Sequence, residues 1–451
     1  MMKLLSAILL IAWTLAAQDP APPRAPVVPP TPESPQDPAP PRAPVVPPTP
    51  ESPQVPQPDW IHGRYQSVIS HTLHASAHGT LTMEDLQGDI TVLGTDGERL
   101  EIREIIRVKG AASPDVAWKI IARSTGALII ETSEEPGTYR FTPTRRHQRH
   151  ISFDYLVQVP RPFSVAVKAY AGDVDLTDLV GDLFVKTGSG DIGLSNCSGK
   201  IEVRTGAGDI DAVHIEGRIE LNTGAGDVEA RHAKGQITVN SGAGDVEMIS
   251  CEGSFDISTG GGDIDLRSIT GDQVAAKTGG GDIDLQNVMA DVNVMSRGGD
   301  ISASHMVGNL EVATAGGDVD VTYIEGDLVI FTRGGDVRVE QVSGLVRVKT
   351  NAGDIIIEEM TLEDPGNRKS KITSGSGDIY VSYHTDQPVQ VEARLYGYSP
   401  RYAAHRFEGN LELDLLNEDG STLGVYKVDE PYHTIEIETT NGTIEIVRGR
   451  D

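Results

Sequence analysis

The sequence predicts an all-β fold, a parallel β-solenoid of the β-helix or β-roll kind with 18-residue coils of two short strands. A Gly-Asp pair followed by Ile or Val recurs through residues 170–360, and successive Asp residues are 18 positions apart, once 19. A unit this short cannot bury an apolar face alone, so a fixed period indicates units that stack on one another. The recurring residues are Asp173, Asp191, Asp209, Asp227, Asp245, Asp263, Asp282, Asp300, Asp318, Asp336 and Asp354.

The two halves of each unit predict its two strands. Apolar residues spaced by two occupy both halves, for example Ile192 and Leu194 in the first and Ile201 and Val203 in the second. This alternation is typical of short strands with one inward face, particularly where glycine bounds them. The glycines midway between the Asp residues are Gly181, Gly199, Gly217, Gly235, Gly253, Gly271, Gly308, Gly326 and Gly344.

A column of hydroxyl residues directly precedes each Gly-rich turn. Its members share the inward parity of the apolar residues before them, as Thr187 does with Val185. We therefore expect an internal ladder whose hydroxyls cap the backbone at a tight corner. The alternative, an exposed threonine array of the ice-binding kind, needs an outward face. The column consists of Thr187, Thr205, Thr223, Ser241, Thr259, Thr278, Ser296, Thr314, Thr332 and Thr350.

The N-terminal residues have the pattern of an export signal followed by a stalk. Residues 1–17 combine one lysine, an apolar core and two alanines, which is typical of a secretory signal peptide and too short to favour a spanning helix. Residues 18–58 contain DPAPPRAPVVPPTPESPQ twice in succession, a composition that favours disorder or extended polyproline II. We expect an exported protein in the periplasm, on the cell surface or in the medium, with no transmembrane span after signal cleavage.

Residues 59–169 are expected to form a β-rich N-terminal cap. Gly88-Asp89-Ile90 is an early copy of the repeat motif. Ser113-Pro114-Asp115 predicts the start of a helix, with Val116, Ile120 and Ile121 on one face. A strand over residues 119–132 is the competing interpretation.

Residues 361–451 are expected to contain the last coil or coils and a C-terminal cap. The motif returns once, as Gly377-Asp378-Ile379, after about six extra residues near Glu363–Arg368. The closing segment Thr439–Ile446 fits a last coil in phase with the motif, but also an Asn-Gly hairpin.

Composition and cysteine spacing exclude several classes of function. A formal charge of −28 with 5% aromatic residues argues against nucleic acid and against an anionic membrane as partners. Cys197 and Cys251 are 54 residues apart, which places them in one column three coils apart. Stacked strands would separate their sulfurs by about 14 Å, too far for the bridging limit of roughly 7 Å between Cα atoms. We expect two buried free thiols.

The Gly-Asp motif has a structural and a metal-binding interpretation. Glycine would supply the positive φ of a corner, and aspartate would accept hydrogen bonds from backbone amides near it. Carboxylates stacked about 4.8 Å apart repel by about 0.9 kcal/mol in water, so cations are the other means of neutralisation. A calcium-binding β-roll is therefore an alternative, although its nonapeptide motif matches only in part. A second acidic column lies beside the first, at Asp175, Asp211, Glu229, Glu247, Asp265, Asp284 and Asp320.

Two local clusters of residues are candidate binding sites. Residues 145–150 form a basic patch that is either a solvated loop or a contact for an anionic polymer or a second copy. His71, His74 and His78 would share a face only on a helix, whereas a strand aligns His74 with His78. We assign no catalytic, cofactor-binding or metal-binding residue and no cofactor.

Three parts of the sequence carry a family resemblance: the segment VPRPFSVAVKAYAGDVDL that leads into the repeats, the units TGSGDI, TGAGDI, TGGGDI and TRGGDV, and the closing segment TTNGTIEI. Together they resemble the bacterial putative-adhesin family of exported β-strand-repeat domains of unknown function. The resemblance covers roughly residues 60–450. It implies the solenoid architecture and supplies no catalytic residues.

These observations predict a non-enzymatic, adhesin-like or structural scaffold of the cell envelope. Its partner is expected to be an envelope or surface ligand, either protein or polysaccharide, and copies of the chain could also associate by stacking of solenoid ends. The alternatives are the calcium-binding β-roll and a polysaccharide-active β-helix enzyme.

Overall fold

The computed structural model describes residues 55–75, 77–131, 137–143, 150–362, 368–418 and 420–449. These residues belong to one compact unit, Pro53–Asp451. The signal-peptide prediction, nearly all of the predicted stalk and most of the basic patch at residues 145–150 lie outside the described residues. The described part of the chain is nearly all β-structure, with two short helices.

Eight strands precede the regular repeats. β2 pairs antiparallel with β5, and β5 pairs antiparallel with β8. β4 lies parallel between β8 and the first repeat strand, so the early Gly88-Asp89-Ile90 copy stacks directly on the repeats. The strands are β1 (Asp59–Ile61), β2 (Arg64–His74), β3 (Thr80–Gln87), β4 (Asp89–Thr95), β5 (Arg99–Val108), β6 (Ala127–Glu131), β7 (Thr138–Thr142) and β8 (Ile151–Pro160).

The helix α1 (Pro114–Ala122) begins where the sequence predicts it. The Ser113 hydroxyl accepts a hydrogen bond from the Val116 N–H at 3.3 Å, which caps the first turn. The buried face is formed by Ala117 and Ile121, whereas Val116 is 42% exposed, so the predicted helix face was wrong by part of a turn. The competing strand begins only after the helix, as β6.

The repeats form a continuous series of parallel strands. Ile192 pairs with Ile210, and Ile210 pairs with Val228, so partners lie 18 positions apart in the chain. The strands are β9 (Ser164–Ala171), β10 (Val174–Thr177), β11 (Leu183–Thr187), β12 (Ile192–Thr205), β13 (Ile210–Thr223), β14 (Val228–Arg231), β15 (Lys234–Ser241), β16 (Val246–Ile249), β17 (Glu252–Thr259), β18 (Ile264–Thr278), β19 (Ile283–Ser296), β20 (Ile301–Val307), β21 (Leu310–Ala313), β22 (Val319–Glu325), β23 (Leu328–Phe331), β24 (Val337–Ser343), β25 (Val346–Thr350) and β26 (Ile355–Thr361).

The single 19-residue interval is absorbed by a bulge. The pairing register shifts between Thr270 and Gln273 in β18, and the strands on both sides keep their column alignment. An extra residue in one strand stays unpaired while the ladder resumes beyond it. The solenoid thus accepts an insertion without turning its apolar residues outward.

The interior is one continuous apolar core. Inward residues such as Val203, Leu221 and Val239 are 0% exposed. Each fully buried side chain of this kind contributes roughly 1.5–3 kcal/mol relative to an exposed one. Cys197 and Cys251 are buried free thiols, which confirms the sequence prediction. Burial raises the pKa of both thiols and so opposes their ionisation.

One corner of the repeat is formed by residues other than glycine. Five positions after each Asp, the backbone is left-handed, with φ from +53° to +60°. Such φ values are uncommon for residues with a Cβ, and small polar residues tolerate them best. The corner residues are Asp178, Asn196, His214, His232, Ser250, Ser268, Asn287, His305, Tyr323, Gln341 and Glu359.

The glycine of the Gly-Asp pair has a different role from the one predicted. From Gly172 to Gly377, only Gly172 and Gly190 among these glycines have positive φ. The others are required by the close approach of neighbouring coils. A Cβ on Gly226 would lie 2.1 Å from the Gly208 carbonyl oxygen. The expected conformational reason was therefore wrong for most coils, and steric exclusion replaces it.

The C-terminal strands close the solenoid. β33 pairs parallel with β27 and β29, and β34 pairs parallel with β28 and β30, so the closing segment is a coil in phase rather than an Asn-Gly hairpin. The elements are β27 (Arg368–Ser374), β28 (Ile379–His384), β29 (Val389–Tyr396), α2 (Pro400–Ala403), β30 (Phe407–Gly409), β31 (Asp414–Glu418), β32 (Ser421–Tyr426), β33 (His433–Thr439) and β34 (Ile444–Arg448).

Candidate functional site

The recurring Asp residues form a hydrogen-bonded column that we call the Asp ladder. The Oδ1 atom of each Asp accepts a hydrogen bond from the backbone N–H of the Asp in the next coil. The donor–acceptor distance is 2.8 Å from Asp245 N to Asp227 Oδ1, and 2.8 Å from Asp263 N to Asp245 Oδ1. The sequence predicted an amide partner near the same corner, but the amide belongs to the neighbouring coil. The ladder includes Asp89, Asp173, Asp191, Asp209, Asp227, Asp245, Asp263, Asp282, Asp300, Asp318, Asp336, Asp354 and Asp378, and ends on Thr443.

The Asp ladder explains why its neighbouring glycines have no side chain. A Cβ on Gly262 would lie 2.7 Å from the Asp245 carboxylate oxygen and 2.2 Å from the Gly244 carbonyl. Glycine therefore lets the carboxylate reach the amide of the next coil. A charge-assisted hydrogen bond of this kind contributes about 1.5–3 kcal/mol, which exceeds the repulsion of about 0.9 kcal/mol between stacked carboxylates in water.

The second acidic column lies beside the Asp ladder and is less completely neutralised. Glu247 pairs in register with Asp265, and Asp265 with Asp284. The pKa of Asp265 is raised by burial and by these two carboxylates, against the opposing effect of Arg267. The pKa of Asp175 is raised by burial and by the carboxylates of Asp173 and Asp89. Asp175 and Asp265 therefore hold a proton more readily than an isolated carboxylate does.

The hydroxyl column faces the interior, as predicted. All ten hydroxyl side chains from Thr187 to Thr350 are 1–7% exposed. The Thr223 hydroxyl donates to the Gly208 carbonyl at 2.8 Å and accepts from the Gly226 N–H at 3.0 Å. Each of the ten hydroxyls closes its own turn, and nine of them also donate to a carbonyl of the preceding coil. The column is therefore structural and does not form an exposed threonine array.

The three candidate histidines do not form one cluster. His71 is buried and its Nε2 lies 3.1 Å from Glu104 Oε2, while His74 is exposed and lies 3.7 Å from Glu98. His78 follows β2 in a turn with φ of +65°. The expected alignment of His74 with His78 on one strand was therefore wrong, because β2 ends at His74.

Glu104 is a buried charged group that the sequence reasoning missed. Both of its carboxylate oxygens lie 3.0 Å from the Gly126 N–H, and the side chain is 0% exposed. Burial together with Glu104 and Asp154 raises the pKa of Tyr155. The sequence does indicate this burial, because Glu104 takes an inward position in the alternation of Leu100, Ile102 and Ile106. With His71 and Gly126 as partners, Glu104 ties β2, β5 and the segment after α1 together.

A second buried polar pair was also missed. His433 Nε2 lies 3.0 Å from the Ser370 hydroxyl oxygen, which in turn accepts from the Val346 N–H at 3.1 Å. Burial and the nearby Arg368 guanidinium lower the pKa of His433 to about 4, so the imidazole is neutral. Ser370 is 0% exposed and His433 is 4% exposed. The serine and histidine therefore join β25, β27 and β33 and offer no access to a substrate.

An acidic groove lies near the C-terminal end of the repeats. Two adjoining hollows of about 660 and 500 Å³ share Gln341, Glu359 and His384. Arg338 donates to Glu340 and Glu358 on the rim. The groove is polar and open, so it suits a polar or cationic surface group.

Taken over the described ranges, the structure holds no cluster of three or more His, Cys, Asp or Glu side chains arranged for a metal ion. Within the same ranges, no helix is both long and apolar enough to cross a membrane. What the site residues do is hold coils together: the Asp ladder and the hydroxyl column both bind backbone groups of neighbouring coils.

Comparisons with known proteins identify a family match and a distant structural neighbour. The model of a family described as Toastrack DUF4097 matches residues 80–269 and, a second time, residues 253–447. No curated protein matches the chain significantly. Five chains of solved structures do. One is the crystal structure of a putative cell adhesion protein from Clostridium sporogenes, 8% identical, with a TM-score of 0.17, covering 86% of this chain and 100% of that one.

Proposed function

The chain belongs to the Toastrack DUF4097 family, and we propose that it is a non-enzymatic, adhesin-like scaffold of the cell envelope. The family match confirms the resemblance to adhesin-like domains of unknown function. The proposal includes a solenoid of 18-residue coils with two short strands each, carried on the proline-rich stalk after export. Its ligand would be a protein or polysaccharide of the envelope or surface.

One observation carries the proposal. The polar residues that recur in every coil are bonded to the backbone of the next coil, as Asp245 and Thr223 are. A catalytic site would need one coil to differ by a convergent set of reactive side chains. The polar groups instead build a stiff stack, and the outward columns vary from coil to coil. Such a stack supports binding surfaces rather than a reaction.

Calcium binding is the second candidate, because the acidic columns lie side by side. Burial raises the pKa of Asp265 most, and the Glu247 and Asp284 carboxylates add repulsion that a bound cation would relieve. Opposing it, the Oδ1 atoms of the Asp ladder already accept backbone hydrogen bonds. A polysaccharide-active enzyme is the third candidate function, and no cluster of reactive side chains described above favours it.

Deletion of the gene tests the scaffold function. We expect the deletion strain to lose surface attachment or to become sensitive to detergents that stress the envelope, and the wild-type gene to restore both. An unchanged strain would contradict the proposal. Incubation of the purified chain with acidic and neutral glycans provides the second arm, since release of reducing ends would show an enzyme instead.

A further inference from the structure

The coils from residue 268 to 361 carry two outward faces of opposite charge. The second strand of each coil and the turn after it carry five exposed cations that make no ion pair with any described residue. We call these residues the cationic face. They are Lys277, Arg297, Arg333, Arg347 and Lys349. Near the left-handed corner of the same coils, four exposed carboxylates also make no ion pair with a described residue; we call these the acidic face: Asp272, Asp291, Glu325 and Glu359.

Register places each set of charges in adjacent columns. Lys277 pairs with Met295, Ala313 with Phe331, and Phe331 with Lys349, so these side chains follow one another along one column. Arg297 and Arg333 lie in the turns, two residues after Met295 and Phe331. Lys277 and Lys349 lie at the two ends of an apolar strip formed by Met295 and Phe331, which are 45% and 46% exposed. Arg347 occupies the adjacent column, where Glu311 accepts a hydrogen bond from the Asn293 amide.

The acidic face has an apolar strip of its own. Met289 pairs in register with Val307 and is 55% exposed, and Val307 precedes Glu325 in the same column. Tyr323 is 39% exposed and donates its hydroxyl to Glu325 at 2.5 Å. No Lys or Arg occurs in the sequence from Ser268 to Gln273 or in the equivalent segments up to residue 361. One cation from outside these segments, Arg368, reaches the column of Asp291 and pairs with Asp327.

Exposed apolar side chains of the solenoid concentrate on these coils. Between residues 172 and 362 the large exposed apolar side chains are Val180, Met289, Met295, Val307, Tyr323 and Phe331, and all but the first lie on the two faces. Scattered apolar residues need no explanation, whereas apolar strips bordered by charge mark interaction surfaces. Both strips point to a partner.

We propose that the cationic face of one copy of the chain binds the acidic face of a second copy. The inference deepens the proposed scaffold function, on which it rests, by naming the chain itself as a partner. The unpaired charges are opposite in sign and each set borders an apolar strip. Both faces repeat at the strand spacing of about 4.8 Å, so the columns of two copies with aligned axes keep the same period.

Salt conditions decide whether the net charge of −28 prevents this contact. At about 0.15 M salt the screening length is about 8 Å, so distant charges of two copies hardly interact while contacting faces still do. The two faces are different surfaces of the same coil, which makes the contact heterologous. Association should therefore continue beyond a dimer. An anionic membrane would use only the cationic face and leave the acidic strip uncovered.

Sedimentation velocity of the full chain tests the inference over micromolar to sub-millimolar concentrations. We expect the sedimentation coefficient of the wild type to rise with concentration at about 0.15 M salt and to fall back at about 1 M. The variant Arg297→Glu with Arg333→Glu leaves three cations and two carboxylates on the cationic face. The variant Glu325→Lys with Glu359→Lys leaves two carboxylates and two cations on the acidic face. Each alone should weaken association more than about ten-fold.

Mixing the two variants gives the decisive measurement. Each variant alone has lost most of the charge difference between its two faces. The mixture combines the unaltered acidic face of the first variant with the unaltered cationic face of the second, and should associate again. The matched control for the Arg297 and Arg333 variant is Lys200→Glu with Arg218→Glu, two exposed cations of earlier coils whose reversal changes the net charge by the same amount. The control should associate like the wild type, and circular dichroism should be the same for all variants.

Three results would overturn the inference: a monomeric wild type at all concentrations, a mixture that stays monomeric, or a control that loses association as well. Binding of a monomeric wild type to phosphatidylglycerol vesicles through Arg297 and Arg333 would assign the cationic face to a membrane instead. A monomeric chain that still restores cell attachment would contradict self-association and leave the scaffold function supported. Association of the purified chain, together with a deletion strain that shows no phenotype, would contradict the scaffold function and leave self-association supported.

Discussion

The carboxylate of Asp227 binds the backbone N–H of Asp245 in the next coil, at 2.8 Å. This contact repeats along the solenoid, and it turns a column of like charges into a column of inter-coil hydrogen bonds. Acceptors with no charge serve as well: Asn309 Oδ1 accepts from the Asp327 N–H at 3.0 Å in a neighbouring column. The hydrogen bond, rather than the charge, is therefore the structural requirement.

Substitution of Asp245 separates these two contributions. Asp245→Asn keeps an acceptor for the Asp263 N–H and removes repulsion, so we expect stability within about 0.5 kcal/mol of the wild type. Asp245→Ala leaves that N–H to water and should cost about 1 kcal/mol. Chemical denaturation of the full chain measures both. Equal losses for the two variants would show that the charge itself matters.

Calcium gives an independent check of the Asp ladder. If the acidic columns bound calcium, the midpoint temperature of thermal melting would be higher with calcium than with a chelator. The variant Asp245→Asn would then reduce that difference in midpoint. We expect no shift of the midpoint, because backbone amides already occupy one oxygen of each carboxylate. A rise of several degrees with calcium would favour the β-roll alternative.

Thr223→Val tests the hydroxyl column. Valine keeps the branched shape but cannot bond the Gly208 carbonyl or the Gly226 N–H, which would stay buried and unpaired. We expect a loss of about 2–4 kcal/mol in the free energy of unfolding. Thr223→Ser is the control and should lose less than about 1 kcal/mol, because Ser241 makes the equivalent two bonds in the next coil. Similar losses for valine and serine would assign the effect to packing.

Gly226→Ala tests steric exclusion between coils. The new Cβ would lie 2.1 Å from the Gly208 carbonyl oxygen, so the coils must separate locally, at a cost of roughly 3 kcal/mol. Gly261→Ala is the matched control, since a Cβ there meets nothing within 4 Å and alanine already occupies the equivalent positions 225 and 243. A tolerated Gly226→Ala would mean that coil spacing is looser than the structure shows.

His433 predicts a specific pH dependence of stability. Its pKa is lowered to about 4 in the folded state from an ordinary value of 6.5, so the unfolded chain takes up the proton first on acidification. The stability from this neutral imidazole is complete above pH 6.5 and is lost as pH falls toward 4. The stability difference between wild type and His433→Gln should therefore shrink by about 2 kcal/mol across that window.

Thermal melting of both proteins at pH 7 and at about pH 4.5 measures this change. Glutamine can still accept from Ser370, so it is the conservative replacement. A difference between the two proteins that does not depend on pH would show that His433 titrates normally.

The sequence alone determined which residues share a column. The period and the inward parity follow from alternation and glycine spacing, because every coil repeats the same strand register. The buried thiols of Cys197 and Cys251 and the inward hydroxyl at Thr223 were predicted in this way. For the segment near Thr439 the sequence left an in-phase coil and an Asn-Gly hairpin open, and the strand pairing decided for the coil. The helix start at Ser113 was readable from local capping chemistry.

Only the tertiary structure decided what each column contacts. The Asp245 carboxylate binds an amide of the next coil, the left-handed corner falls on His214 and its equivalents, and Glu104 meets His71 across strands 33 residues apart. Periodicity fixes the order of side chains along a strand, but the backbone angles at the corners fix where neighbouring columns point.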